Sequence, residues 1–198
     1  GILFESKKLY DNQVPDWIKR VLAGKGYTIT PKAAQMLVEF LGNDLNKVNN
    51  ELEKLQFILK PGAQITPQII EENIGISKDF NNFELQNAIG AKDIKKAFAI
   101  IQYFSQNPKN NPLVMTVSLL YSFFSKLLKY HALSNKGDAA KALGVHPFFI
   151  KDYQTAARNY PMKKVSAIIA AIREVDMKSK GVGAANLPQG DLLKELLV

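Results

Sequence analysis

Between Asp44 and Leu59 the large apolar side chains fall at Leu45, Val48, Leu52, Leu55 and Leu59, in alternating steps of three and four. That spacing returns to one face of an α-helix at every turn and to neither face of a strand. The residues between them, Asn46, Lys47, Asn49, Asn50, Glu51, Glu53 and Lys54, are polar. One side of the helix is therefore built for burial and the other for water. Phe57 and Ile58 widen the apolar stripe near its end. Asn43 or Asp44 supplies a capping oxygen at the start, and Pro61-Gly62 stops the helix. A lone helix of this length is marginal in water, so the stripe demands helical neighbours.

The neighbours follow the same rules. Val14-Pro15 leads into a short helix carrying Trp17, Ile18 and Val21/Leu22, ending near Gly24. Trp17 reads as core. Thr30-Pro31 opens the next helix, with Ala33, Leu37 and Phe40/Leu41 inward and Gly42 as its stop. Thr66-Pro67 opens a fourth through Ile69, Ile70 and Asn73. A second group begins after Gly75–Asp79. It predicts helices from Asn82 or Phe83 to Ile89, over Asp93 to Ser105 with Ile94, Ala97/Phe98, Ile101 and Phe104 inward, and over Leu113–Leu133. Further helices are expected over Asp138–Leu143, Pro147–Asn159, Met162–Lys178 and Asp191–Leu197. Only Ile2–Leu9 hints at a strand. The expected fold class is all-α, a small bundle followed by a larger one, with the boundary inside Ile76–Asn82.

Chemistry is hard to place on this chain. It has no cysteine, which excludes disulfides, thiolate metal sites and cysteine nucleophiles. The phosphate-cradling P-loop fails at Gly24-Lys25, where Gly26 follows and Lys19 stands in place of the first glycine. Gly181-Val182-Gly183 follows a helix and reads as its C-cap. His131 and His146 have no partner ligand at metal spacing, so both read as structural. The pairs Glu51/Glu53 and Glu71/Glu72 read as solvated helix surface. No catalytic residue, metal or cofactor is expected.

Cellular context is equally plain. Pro112 to Leu133 is interrupted by Lys126 and Lys129, so it reads as a buried core helix and not a membrane span. Gly1-Ile2-Leu3-Phe4-Glu5 has the form of no targeting segment. The expectation is a cytoplasmic chain, with no membrane contact, taken from a longer protein.

The net charge of +8 is unevenly spread. Residues 1–78 hold ten Lys/Arg against nine Asp/Glu, and residues 79–198 hold sixteen against nine. Such asymmetry marks either solubility or a surface facing nucleic acid or an acidic partner. Lys126, Lys129, Lys151, Arg158, Lys163 and Lys164 are the candidates for a subunit interface or a DNA-facing basic surface. A helix-turn-helix over residues 138–153 is the alternative reading, with Ala139/Ala140 and Leu143, the Gly144 turn and a second helix bearing Lys151 and Gln154. The start of that second helix, Pro147-Phe148-Phe149-Ile150, is apolar and looks made to pack.

Three blocks in order carry a resemblance. They are Val14-Pro-Asp-Trp-Ile-Lys-Arg20 with Gly26-Tyr-Thr-Ile-Thr30 after it, then Leu41-Gly-Asn-Asp-Leu-Asn-Lys-Val-Asn-Asn-Glu-Leu-Glu-Lys-Leu55, and then Leu143-Gly-Val-His-Pro-Phe-Phe-Ile-Lys151 with Ala156-Ala-Arg158. Asp176-Met-Lys-Ser-Lys180 is similar to a closing Asp-x-x-x-Lys-x-Gly, with Val182 at the expected glycine. Together they resemble the delta subunit of the bacterial DNA polymerase III clamp loader without its N-terminal domain. The resemblance implies that residues 1–12 are a remnant of that domain, 13–77 a helical AAA+ lid, and 78–198 a helical collar. The collar would join other clamp-loader subunits, and DNA would be met within the assembled complex. Contact with the sliding clamp would lie in the missing N-terminal domain, and polymerase activity in other subunits. Delta does not hydrolyse ATP, so the resemblance transfers no catalytic residue to this chain.

Overall fold

A computed structural model describes residues 9–183 and 187–197; the strand expected over Ile2–Leu9 lies outside them apart from its last residue. The chain divides after Lys78 into two compact units. The first holds α1 (Val14–Gly24), α2 (Pro31–Leu41), α3 (Leu45–Ile58) and α4 (Pro67–Ile74), with two-residue strands β1 (Thr28–Ile29) and β2 (Gln64–Ile65). The fold class is all-α.

Side-chain caps set the starts of α2, α3 and α4. Thr30 Oγ1 accepts from the Ala33 N–H at 3.3 Å, and Thr66 Oγ1 from the Ile69 N–H at 3.4 Å. The Asp44 carboxylate accepts from the Asn46 and Lys47 N–H groups at 3.1 and 3.3 Å. The two Thr-Pro starts also share something the periodicity did not reveal. Each is preceded by isoleucine, and Ile29 and Ile65 pair side by side in a parallel register. Both side chains are buried, so the short ladder launches two helices from one point of the core. Val14, Ile18, Leu22, Leu37, Val48, Leu52, Leu55 and Ile70 fill that core, with Trp17 partly buried against it.

The second unit holds α5 (Asn82–Ala91), α6 (Ile94–Gln106), α7 (Leu113–Ala132), α8 (Ala139–Leu143), α9 (Ile150–Asn159), α10 (Met162–Ser179) and α11 (Gln189–Glu195). Helix α7 is its axis, and α5, α8, α9 and α10 all pack on it. Aromatic rings make the centre: Phe123 lies 5.2 Å from Phe124 and 5.1 Å from Tyr153, and Phe124 meets Tyr160 edge-on at 5.8 Å. Helix α11 closes on α6 because Gly190 has no side chain; a Cβ there would stand 2.8 Å from Ser105 Oγ.

Three expectations about inward faces need correction. On α6, Ala97, Ile100, Ile101 and Phe104 are buried, whereas Ile94 is 50% and Phe98 48% exposed. The buried stripe is centred one step away from them, and no described helix of the unit covers that flank. Phe40 at the end of α2 is likewise open, with Leu41 taking the partly buried place. Phe57 is 91% exposed and Ile58 mostly so, because α3 has run past the core by its last turn.

The contrast along α3 is measurable. Leu52→Ala removes a fully buried side chain and is expected to cost about 2–5 kcal/mol. Phe57→Ala is expected to change stability by no more than about 0.5 kcal/mol. Urea unfolding followed by the fluorescence of Trp17, the sole tryptophan, reads this unit directly.

Candidate interaction surface

Both histidines are committed to the backbone. His131 Nε2–H donates to the Tyr160 carbonyl at 2.8 Å, and His146 Nδ1 accepts from the Phe148 N–H at 3.1 Å. Among the described residues no three His, Asp or Glu side chains are grouped to hold a metal ion. Gly181 sits in the turn that ends α10, where the Val182 N–H donates to the Met177 carbonyl at 3.0 Å. The paired carboxylates are structural as well. Glu51 pairs with Lys54 at 2.6 Å, and Glu71 accepts from both the Lys78 ammonium and the Lys78 N–H. Those hydrogen bonds hold the Glu71 carboxyl below its ordinary value. No helix of the described residues is long and apolar enough to cross a membrane.

Surface electrostatics in the second unit separate into two regions. At the start of α5 the buried Glu84 carboxylate pairs with the Lys96 ammonium. Asp152 of α9 lies near it, half-buried. Burial first, and the Glu84 charge second, push the Asp152 carboxyl above its ordinary value.

The other region forms where α5, α7 and α9 end and α10 begins. Tyr160, between α9 and α10, is its hub. Its hydroxyl donates to the Ile89 carbonyl at 2.8 Å, and its own carbonyl takes the His131 hydrogen bond. Asn159 Nδ2 donates to the Gly90 carbonyl at 2.9 Å, and the Lys92 ammonium lies 5.3 Å from the Tyr160 ring centre. The Lys136 ammonium donates to the carbonyls of Tyr130 and His131 and covers the Tyr130 ring at 4.5 Å. Burial raises the Tyr160 phenol above its ordinary value, keeping it a donor.

This geometry sorts the six basic candidates. Lys129, Lys163 and Lys164 are exposed at the Tyr160 end. Lys151 and Arg158 lie seven residues apart on the outer face of α9, together with Gln154, and are also exposed. Lys126 is half-buried one turn back along α7. Sequence reasoning missed Lys92 and Lys136, whose neighbours at this end come from helices distant in the chain.

The helix-turn-helix segment has a partly different shape from the one expected. Gly144 does make a left-handed turn after α8. Residues Pro147–Phe149 then form a 3-10 turn ahead of α9, and Phe149 is buried with its ring 5.0 Å from Phe83. Phe148, expected to pack, is instead 58% exposed. A recognition helix reaches bases with its first residues. Here the preceding turn is held in the core by Phe149.

Residues 79–187 match the family of the DNA polymerase III delta subunit, C-terminal domain. Among solved structures, the chain is similar to the DNA clamp loader delta protein of Bacillus subtilis, at 25% identity with a TM-score of 0.60. That similarity covers 98% of this chain and 57% of the other, so the chain spans little more than half of that protein's length. No curated protein matches the chain.

Two substitutions test the local chemistry. The folded chain holds the Asp152 proton more tightly than the unfolded chain. Stability therefore falls as pH rises from the ordinary aspartate range through the raised folded value. Asp152→Asn is expected to raise the urea midpoint at neutral pH and to match the parent chain in acid below that range. Tyr160→Phe removes one of the two donors to the Ile89 carbonyl, which keeps the Lys92 N–H at 2.9 Å, and is expected to cost about 0.5–1.5 kcal/mol in thermal unfolding.

Proposed function

The chain belongs to the family of the DNA polymerase III delta subunit, C-terminal domain, and from that premise we propose that it serves as the non-catalytic assembly part of a clamp-loader delta subunit. In this reading residues 13–77 are the AAA+-type lid and residues 78–198 the collar. The collar holds the other clamp-loader subunits, and the chain contributes to loading the sliding clamp during DNA replication in the cytoplasm. Contact with the clamp itself belongs to an N-terminal domain outside this sequence. The chain needs no cofactor for this work.

The observation that carries the reading is that the family match falls on the second unit and covers nearly all of it. The surface of that unit supports it. Ile94 and Phe98 stand one turn apart on α6 with about half their area open, and Phe148 projects from the turn before α9. Exposed apolar side chains of this size suit burial against a neighbouring subunit.

Co-purification with the remaining clamp-loader subunits tests the proposal. The intact chain is expected to be retained, and a chain ending at Ser77 to be lost from the complex. Retention of the shortened chain, or failure of the intact one, overturns it.

A further inference from the structure

Two compact units on one chain turn against each other as far as the stretch between them allows. Residues 75–81, between α4 and α5, belong to no helix. A stretch of that length free to rotate would be a loose tether. Here nearly all of it is held down.

Its first part belongs to the first unit. Gly75, left-handed with φ at 82°, donates its N–H to the Glu71 carbonyl at 3.1 Å and caps α4. Ile76 is buried in the first core. Ser77 and Lys78 are then gathered onto one side chain. The Glu71 carboxylate accepts from the Lys78 N–H at 3.0 Å, the Lys78 ammonium at 2.9 Å and the Ser77 hydroxyl at 3.4 Å. Gln68 Oε1, one turn back along α4, accepts from the same ammonium at 2.6 Å. A lone surface ion pair holds little. Here one of the donors is a main-chain amide, so the carboxylate fixes the backbone itself.

The far end is held by the second unit. Phe80 stacks on Tyr103 of α6, with ring centres 5.0 Å apart and planes inclined by 28°. The buried Asn81 side chain accepts from the Glu84 N–H at 2.9 Å and caps α5. Peptide planes do not twist. The rotations between the two anchors are therefore ψ of Lys78, φ and ψ of Asp79, and φ of Phe80.

We propose that the two units turn about a single joint centred on Asp79, and that the Glu71 carboxylate and the Phe80 ring are latches that keep it short. Loss of the first latch lengthens the joint by Ser77 and Lys78, and loss of the second by Phe80, without opening either core. Hinges are a few residues that absorb large changes in φ and ψ while the bodies they join stay intact. The Lys78 ammonium and amide hold the Glu71 carboxyl below its ordinary value, so this latch is ionised at neutral pH. The inference stands on the geometry of residues 68–81 and not on the assembly reading, since the joint is measured in the chain without partners.

The test is the width of the distance distribution between two spin labels, one in each unit, by double electron–electron resonance on the full chain. The chain has no cysteine, so Arg20→Cys on α1 and Ala171→Cys on α10, both exposed positions, carry the labels. Glu71→Ala is expected to widen the distribution about 1.7-fold, as the square root of a joint grown from roughly one residue to roughly three. Phe80→Ala is expected to widen it about 1.4-fold, and the two together about twofold. Glu53→Ala removes a carboxylate of the first unit that pairs with Lys25 at 3.7 Å, and as the control it leaves the width unchanged. Trp17 fluorescence checks that the first unit is folded in each chain. Where Glu71→Ala is unfolded, Glu71→Gln takes its place with a smaller widening, because its amide oxygen still accepts from Lys78. An unchanged width in the folded Glu71 variant or in Phe80→Ala, or a widening by Glu53→Ala as large as theirs, overturns the proposal.

Discussion

A protein made of short helices must settle an unusual number of helix ends, because each leaves backbone groups without an intrahelical partner. That constraint organises the second unit. Where α5, α7 and α9 finish together, their last carbonyls meet the Tyr160 hydroxyl, the Asn159 amide, the Lys136 ammonium and the His131 ring. These donors come from three segments: His131 of α7, Lys136 in the turn after it, and the consecutive Asn159 and Tyr160. The unit's shape at this end therefore depends on their converging, with α7 as the common axis.

The first unit meets the same constraint with local means. Threonine hydroxyls and an aspartate cap the starts of α2, α3 and α4, each reaching an amide two or three residues ahead. The paired Ile29 and Ile65 then fix where two of those helices begin relative to each other. Tyr27 brings its hydroxyl within 3.3 Å of the Gln56 and Leu59 carbonyls, where α3 ends. A hydroxyl on the residue just ahead of β1 thus does for α3 what Tyr160 does for α5.

Function follows from what this packing leaves outside. The core takes the large aromatics of α7 and leaves Ile94, Phe98 and Phe148 open. It also leaves a group of lysines that no carboxylate balances. Charge of this kind lowers the stability of the isolated chain through repulsion.

Much of this was legible in the residues themselves. The five regularly stepped apolar residues of α3, Thr30-Pro31, Thr66-Pro67 and the stops at Gly42 and Pro61-Gly62 locate helices because period and capping act across a few residues. The left-handed turn at Gly144 was legible for the same reason. The two-residue strands were not, since a stretch that short has no period to read. Which flank of α6 is covered also escaped: Ile94 and Phe98 have the spacing of core residues, and only the positions of α5, α7 and α11 leave them bare. The gathering of Lys92 and Lys136 with Lys163 around Tyr160 is of the same kind. Sequence by itself determined the helices and their amphipathic faces, because those depend on neighbours in the chain. Tertiary structure alone decided which helix ends meet and which charges are left unbalanced, because those depend on residues as far apart as Ile89 and Tyr160.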